Sequence, residues 1–130
     1  MNVPGKLRYF AMYKALNESG RRIFYSMCNW GLESSWEWAG PYANSWRTTA
    51  DIKDNWKSFT NILDQQVGLE VYAGPGGWND PDMLEVGNGG MTFDEYYAHF
   101  TLWAVLKAPL LIGCSLETIT METLTILGNE

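Results

Sequence analysis

A chain of 130 residues is about one domain long, and an apolar share of 46% suffices for a sizeable core. The net charge of −6 disfavours nucleic acid as a partner, because phosphate binding needs a basic surface. No apolar run approaches the roughly 20 residues of a membrane span, and Met1-Asn2-Val3-Pro4-Gly5-Lys6 lacks the charged-then-apolar layout of a signal peptide.

Residues 5–18 read as a helix, with Leu7, Phe10, Ala11 and Ala15 on one stripe, stopped at Gly20. Arg22–Met27 reads as a short buried strand, followed by a long aromatic loop through Trp30, Trp36, Trp38 and Tyr42. Ser45–Thr49 can form another strand, favoured by β-branched Thr48 and Thr49. A helix then runs over about 52–64, with Ile52, Trp56, Phe59 and Leu63 at helical spacing.

Leu69–Ala73 reads as a brief strand that ends at the stretch Gly74-Pro75-Gly76-Gly77-Trp78-Asn79-Asp80-Pro81-Asp82-Met83. Here two acids and an aromatic plate share a glycine-rich backbone, which can turn tightly and approach a ligand closely. A sugar, with an apolar ring face and a polar edge, suits such a stretch, and so does a rigid surface turn. Thr92-Phe93-Asp94-Glu95 matches a capping box. Its helix runs to about Lys107 and must end before Pro109. Leu110–Ile112 reads as a further apolar strand, and a last helix starts near Thr120.

The order α-β-(β)-α-β-α-β-α implies parallel strands joined by crossover helices. The polar and aromatic segments, from Cys28, Asp51, Gly74 and Cys114 onward, all follow strands in this reading. In a (β/α)8 barrel such loops form the C-terminal rim, where active sites lie. Four strands make half of such a barrel, so the chain is an open four-stranded sheet or a piece of something larger.

Cys28 and Cys114 form no metal-ligand pattern. Their separation is compatible with a disulfide and favours two free buried thiols. His99 is the single histidine and lies in a helical segment, which suits packing; no nucleophile elbow accompanies it and no phosphate-binding loop is present. Neither a metal nor a cofactor is called for. Asn17-Glu18-Ser19 is a glycosylation sequon, with meaning only in a secretory setting.

Four segments carry a family resemblance: Tyr25-Ser26-Met27-Cys28-Asn29-Trp30-Gly31, Asn44-Ser45-Trp46-Arg47-Thr48-Thr49-Ala50-Asp51-Ile52, Ala73 through Leu84, and Lys107-Ala108-Pro109-Leu110-Leu111-Ile112-Gly113-Cys114. In order and spacing they resemble the α-galactosidases (melibiases) of glycoside hydrolase family 27. The resemblance covers nearly the whole chain. It implies an α/β fold, a partial (β/α)8 TIM barrel, with residues 1–130 as the C-terminal half of a catalytic domain, roughly strands 5–8, and no second domain. It also implies retaining hydrolysis of terminal α-D-galactose by two carboxylates.

Asp51 matches the family's general acid/base; from the residues alone it reads rather as the cap of a helix that starts at Ile52. Arg47 matches an arginine that contacts sugar hydroxyls. A guanidinium touching a carboxylate favours its ionised form, the wrong form for a proton donor, so Arg47 is expected to point mainly at the sugar and at other acids. Cys28 and Trp30 match positions lining the galactose pocket. Trp30 adds bulk where an N-acetyl group would sit, which favours galactose over N-acetylgalactosamine. Asp82 and Met83 match residues near the pocket, with Asp82 expected to hold hydroxyls or orient Arg47, and Asp80 expected to be structural. In some animal members a cysteine at the position of Ala43 pairs with the one matching Cys28; this chain follows the pattern with Cys28 unpaired.

The family nucleophile, an aspartate in a Lys-x-Asp motif at the end of strand 4, has no counterpart before Pro4. The expectation is a truncated product or partial gene model that carries the acid/base and lacks the nucleophile. Its partner would be the missing N-terminal half-barrel, and its open sheet edges would favour aggregation. The parent is expected to be secreted, vacuolar or lysosomal. The competing readings are a non-catalytic carbohydrate-binding fragment, or a same-family α-N-acetylgalactosaminidase or β-L-arabinopyranosidase.

Overall fold

The computed structural model describes residues 3–129; Met1 and Asn2, part of the start read above as unlike a signal peptide, and Glu130 lie outside the described residues. Helices and strands alternate: α1 (Gly5–Glu18), β1 (Ser26–Met27), β2 (Ser45–Arg47), α2 (Trp56–Asp64), β3 (Trp78–Asp80), α3 (Phe93–Val105) and α4 (Met121–Leu127). Two 3₁₀ turns, Leu32–Glu37 and Glu70–Tyr72, interrupt the connections. The strands form one parallel sheet in the order β1-β2-β3, with Ser26 opposite Ser45 and Arg47 opposite Asp80. A parallel sheet with crossover helices is consistent with part of a (β/α)8 barrel.

The central strand β2 is buried along its whole length, as expected where both faces of a parallel strand are covered. Trp46 turns to one side, into a cluster with Met27, Ala39 and Ala43. Its indole donates to Asn79 Oδ1 at 2.7 Å. A side chain at Gly77 would lie 2.7–2.8 Å from the Trp46 ring, so the bare backbone there is required by packing. The larger core gathers Phe59 and Ile62 of α2, Tyr96 and Trp103 of α3, Ile126 of α4, and Ile52, Leu84 and Val86 from the loops.

Helix boundaries follow local capping chemistry. The Thr92–Glu95 capping box is present in full, and Thr120 caps α4 through the Thr123 N–H. Residue 51 caps nothing: α2 begins four residues later than its apolar spacing implies, with Asn55 accepting from the Ser58 N–H. Asn55 is itself a strong capping residue, and the cap overrides the periodicity of Ile52.

Several other expectations are corrected. The buried contacts of α1 come from Gly5 and half-buried Tyr9, Tyr13 and Leu16, whereas Leu7, Phe10, Ala11 and Ala15 are exposed. Tyr9 and Tyr13 meet Trp38 and Tyr42 from the aromatic loop, so aromatic contact rather than the aliphatic stripe orients the helix. The strand expected at 22–27 shrinks to its last two residues, with Ile23 and Phe24 exposed, because β1 has a neighbour on one side only. Residues 70–72 form a 3₁₀ turn, and the strand lies beyond the glycines, at Trp78–Asp80. Leu110–Ile112 contributes one parallel bridge, Leu84 to Ile112, in place of a strand. Cys28 and Cys114 are free, as expected, but Cys28 is exposed and Cys114 only half-buried.

His99 is wholly buried between Phe59 and Trp103, with ring centroids 5.0 and 4.3 Å away. Its Nε2 accepts the Glu85 N–H at 3.0 Å, and its Nδ1 has no partner. Burial pushes its pKa down from the ordinary 6.5 to about 4. The folded state therefore holds the neutral ring while the unfolded chain takes up a proton, so this contribution to stability is complete above pH 6.5 and is lost as pH falls toward 4. The loss should reach about 3 kcal/mol. Denaturant unfolding of wild type and His99→Gln between pH 7 and 4 should show this as a shrinking gap. The comparison also cancels Asp80 and Glu85, whose carboxyls burial pushes up and whose effects have the opposite sign.

Candidate active site

The C-terminal ends of the three parallel strands bring together the segments after Met27, Arg47 and Asp80. Backbone bonds align them: Gly31 N–H donates to the Arg47 carbonyl at 3.0 Å, and Thr48 N–H to the Asp80 carbonyl at 2.9 Å. Thr48 also donates through its hydroxyl to Gln66 Oε1 at 2.8 Å, and Gln66 donates back to the Ile62 carbonyl of α2. The loop after β2 is thereby held to β3 on one side and to a helix on the other.

Gly31 makes this alignment possible. Its φ is +75°, and an added Cβ would press into the Thr48 carbonyl, 2.9 Å from the carbon. Trp30 before it is also left-handed, at φ 59°, and remains exposed on the rim beside exposed Cys28.

Arg47 ends β2 with its side chain 10% exposed, and its Nη2 faces three acceptors. Asp82 Oδ2 lies at 2.6 Å, Asp51 Oδ1 at 3.2 Å and the Thr49 carbonyl at 3.3 Å. Asp82 is therefore the near partner and Asp51 the farther one, and Arg47 touches both acids. Asp82 is nearly buried, and each of its oxygens is engaged: Oδ2 by Arg47 and the Ile52 N–H at 2.8 Å, Oδ1 by the Met83 N–H at 2.8 Å. Asp80 lies beneath it, its Oδ1 accepting the Asp82 N–H at 2.9 Å. Burial pushes the Asp80 carboxyl up, against the lowering pull of that bond and of Arg47. Asp80 thus holds the backbone of residue 82 through this bond.

The Asp51 side chain is 66% exposed, with a hydrogen bond from Arg47. Met83, 47% exposed, sits beside Asp82 on the same rim. Arg47, Asp51, Asp82 and Met83 are thus one connected group, and Cys28 and Trp30 join the rim through the Gly31 bond to Arg47.

The glycine stretch divides between the two ends of the sheet. Gly74–Gly77 and Trp78 precede or begin β3 and lie at its N-terminal end, where Asn44 donates to the Gly76 carbonyl at 3.2 Å. Trp78 as a plate beside Asp80 and Asp82 is corrected accordingly, because a strand runs between them. Two features escaped the sequence reading: the left-handed backbone of Asp82, φ 99°, and the bond from Trp103 Nε1 to the Asp82 carbonyl at 2.8 Å. Only the spacing of Tyr96, His99 and Trp103 on one face of α3 signalled that Trp103 points inward. Among the described residues, no group of three His, Cys, Asp or Glu side chains could hold a metal ion, and no helix is long and apolar enough to cross a membrane.

The family described as Alpha galactosidase A (Melibiase_2) matches residues 4–130. Alpha-galactosidase 3 of Arabidopsis thaliana is 58% identical over 123 residues, which is 95% of this chain and 28% of that protein. The crystal structure of alpha-galactosidase I from Mortierella vinacea superposes with a TM-score of 0.93 at 42% identity, covering 95% of this chain and 36% of that one. A GH27 β-L-arabinopyranosidase from Geobacillus stearothermophilus superposes with a TM-score of 0.88 at 28% identity, covering 96% and 32%. The chain thus spans about a third of the length of these relatives.

The two acids next to Arg47 should separate in their effect on stability. Asp82→Ala leaves a buried guanidinium and two backbone N–H groups without their acceptor and should cost about 3 kcal/mol or more. Asp51→Ala breaks a longer contact whose carboxylate side is open to solvent and leaves Arg47 its closer partner Asp82, so it should stay within about 1 kcal/mol. Urea unfolding of the two variants checks the contrast. Gly31→Ala should cost about 2 kcal/mol or more in the same measurement, from strain and the pressed carbonyl.

Proposed function

This chain belongs to the alpha galactosidase A family, and we propose that it is part of a retaining glycoside hydrolase that removes terminal α-D-galactose. In this reading its strands are roughly strands 5–8 of the barrel. Asp51 is the general acid/base, and Arg47, Cys28, Trp30, Asp82 and Met83 shape the sugar site. The observation that carries the reading is the exposed Asp51 carboxylate on the rim, whose neighbouring cation, Arg47, is bound more closely by Asp82.

In the first step a carboxylate attacks the anomeric carbon while protonated Asp51 gives its proton to the departing glycosidic oxygen. In the second step the Asp51 carboxylate takes a proton from water, whose oxygen displaces the enzyme carboxylate and releases galactose with its configuration retained. The attacking carboxylate must lie about 5–5.5 Å from Asp51. Asp82 cannot supply it, because both its oxygens are engaged by Arg47 and by backbone N–H groups. We assign it to the two thirds of a full-length relative that this chain does not match. Likeness to an arabinopyranosidase favours a second reading, in which the sugar lacks the galactose hydroxymethyl group.

The test is a chimera in which this chain replaces the matched third of the Mortierella vinacea enzyme. The chimera should cleave α-galactosides, and the 130-residue chain alone should not. Asp51→Ala in the chimera should lower turnover of substrates with poor leaving groups by about 10²–10⁴-fold. With an activated aryl α-galactoside, whose leaving group departs without a proton, added azide should restore turnover and yield α-galactosyl azide, since the covalent intermediate remains open to attack on the face Asp51 serves. A β-galactosyl azide would make Asp51 the nucleophile and overturn its assignment. Faster cleavage of β-L-arabinopyranosides than of α-galactosides would select the second reading.

A further inference from the structure

We propose that Trp103 is a positioning residue for the acid/base: by holding residue 82 in a left-handed backbone conformation, it keeps Arg47 closer to Asp82 than to Asp51. This rests on Asp51 being the acid/base. Trp103 lies one layer behind the rim, fully buried in α3. Its ring is fixed by packing against Phe59 at 5.4 Å and His99 at 4.3 Å. His99 is in turn tied to the chain after β3 by the Glu85 N–H. From this anchored position the indole N–H has one acceptor, the Asp82 carbonyl at 2.8 Å.

Residue 82 has a φ of 99°, which an aspartate adopts only when its surroundings impose it. Four bonds do so. Asp80 Oδ1 holds its N–H, Trp103 holds its carbonyl, and the Met83 and Ile52 N–H groups hold its carboxylate. In this conformation the carboxylate accepts the N–H of its own following peptide while meeting Arg47 at 2.6 Å. Of the four, the Trp103 bond alone comes from an element outside the rim. Its loss releases about one hydrogen bond against the strain of the left-handed backbone, and the two are similar in size.

The consequence reaches Asp51 through Arg47. With Asp82 in place, Nη2 is committed at 2.6 Å and Asp51 is left at 3.2 Å. With residue 82 relaxed, the buried guanidinium keeps its charge and has Asp51 as its remaining carboxylate. A closer cation favours the ionised form, which cannot donate a proton. The other charged groups around this network are Asp80 beneath Asp82, and Glu85, whose carboxyl is pushed up by burial and further by Asp54 and Asp82.

The experiment replaces the Trp103 side chain in the active chimera with 3-benzothienylalanine, which keeps the bicyclic shape and swaps the N–H for sulfur. The expected result is a drop in kcat/KM of about tenfold near neutral pH, the kinetic equivalent of one hydrogen bond. The alkaline limb of the kcat/KM profile should move to lower pH, and the unfolding midpoint should change little. Trp103→Phe should reproduce the shift with a larger loss of stability. An unchanged alkaline limb in the isosteric variant overturns the proposal, while an inactive unsubstituted chimera overturns the functional reading instead. In that case a crystal structure of the isosteric variant decides the positioning claim. Residue 82 outside the left-handed region and Arg47 drawn onto Asp51 support it, and an unaltered Asp82–Arg47 contact refutes it.

Discussion

One nearly buried carboxylate organises the rim of this sheet. Asp82 joins the last residue of β2, through Arg47, to the loop that follows it, through the Ile52 N–H, and to its own following peptide, through the Met83 N–H. The charge on Asp82 makes each bond stronger than a neutral one, and its burial makes their loss costly. Around it the loops after β2 and β3 have one mutual arrangement, and Asp51 takes its place from that arrangement.

The contrast between the two acids follows from the same geometry. Asp82 is nearly buried, with each oxygen engaged by a donor. Asp51 is open, with one long contact to a cation already neutralised from the other side. The openness suits the acid/base role proposed for Asp51, and the enclosure suits an acid that fixes a backbone. The two types of carboxylate lie on one arginine because parallel strands deliver the loops that follow them to a common edge.

Behind the rim, the aromatic residues of α2 and α3 provide a rigid wall. Phe59, His99 and Trp103 pack edge against face, and the wall reaches the rim through the His99 and Trp103 ring nitrogens. Polar contacts from so apolar a core are few, which makes each one specific. On the opposite side, the free edge of β1 and exposed Ile23 and Phe24 leave an apolar border beside the sheet. Such a border fits a chain matched to about a third of its relatives' length.

Local signals in the sequence carried a good part of this. The bounds of α1, the capping box of α3 and the Thr120 cap of α4 depend on residues within one turn of each other, so they were legible without a fold. The motifs around Cys28, Arg47, Asp51, Asp82 and Met83 were legible as a resemblance, and the family match agrees with it. The tertiary structure decided what depends on neighbours distant in the chain. It placed the strand after the glycines rather than before them, because Trp78–Asp80 is the segment that can pair with β2. It turned the tyrosines of α1 inward, because the aromatic loop offers them partners. It gave residue 82 its left-handed backbone, because donors 21 and 30 residues away hold it there. Propensity and spacing act over a few residues, whereas the balance between Arg47, Asp51 and Asp82 is a matter of angstroms set by packing across the whole sheet.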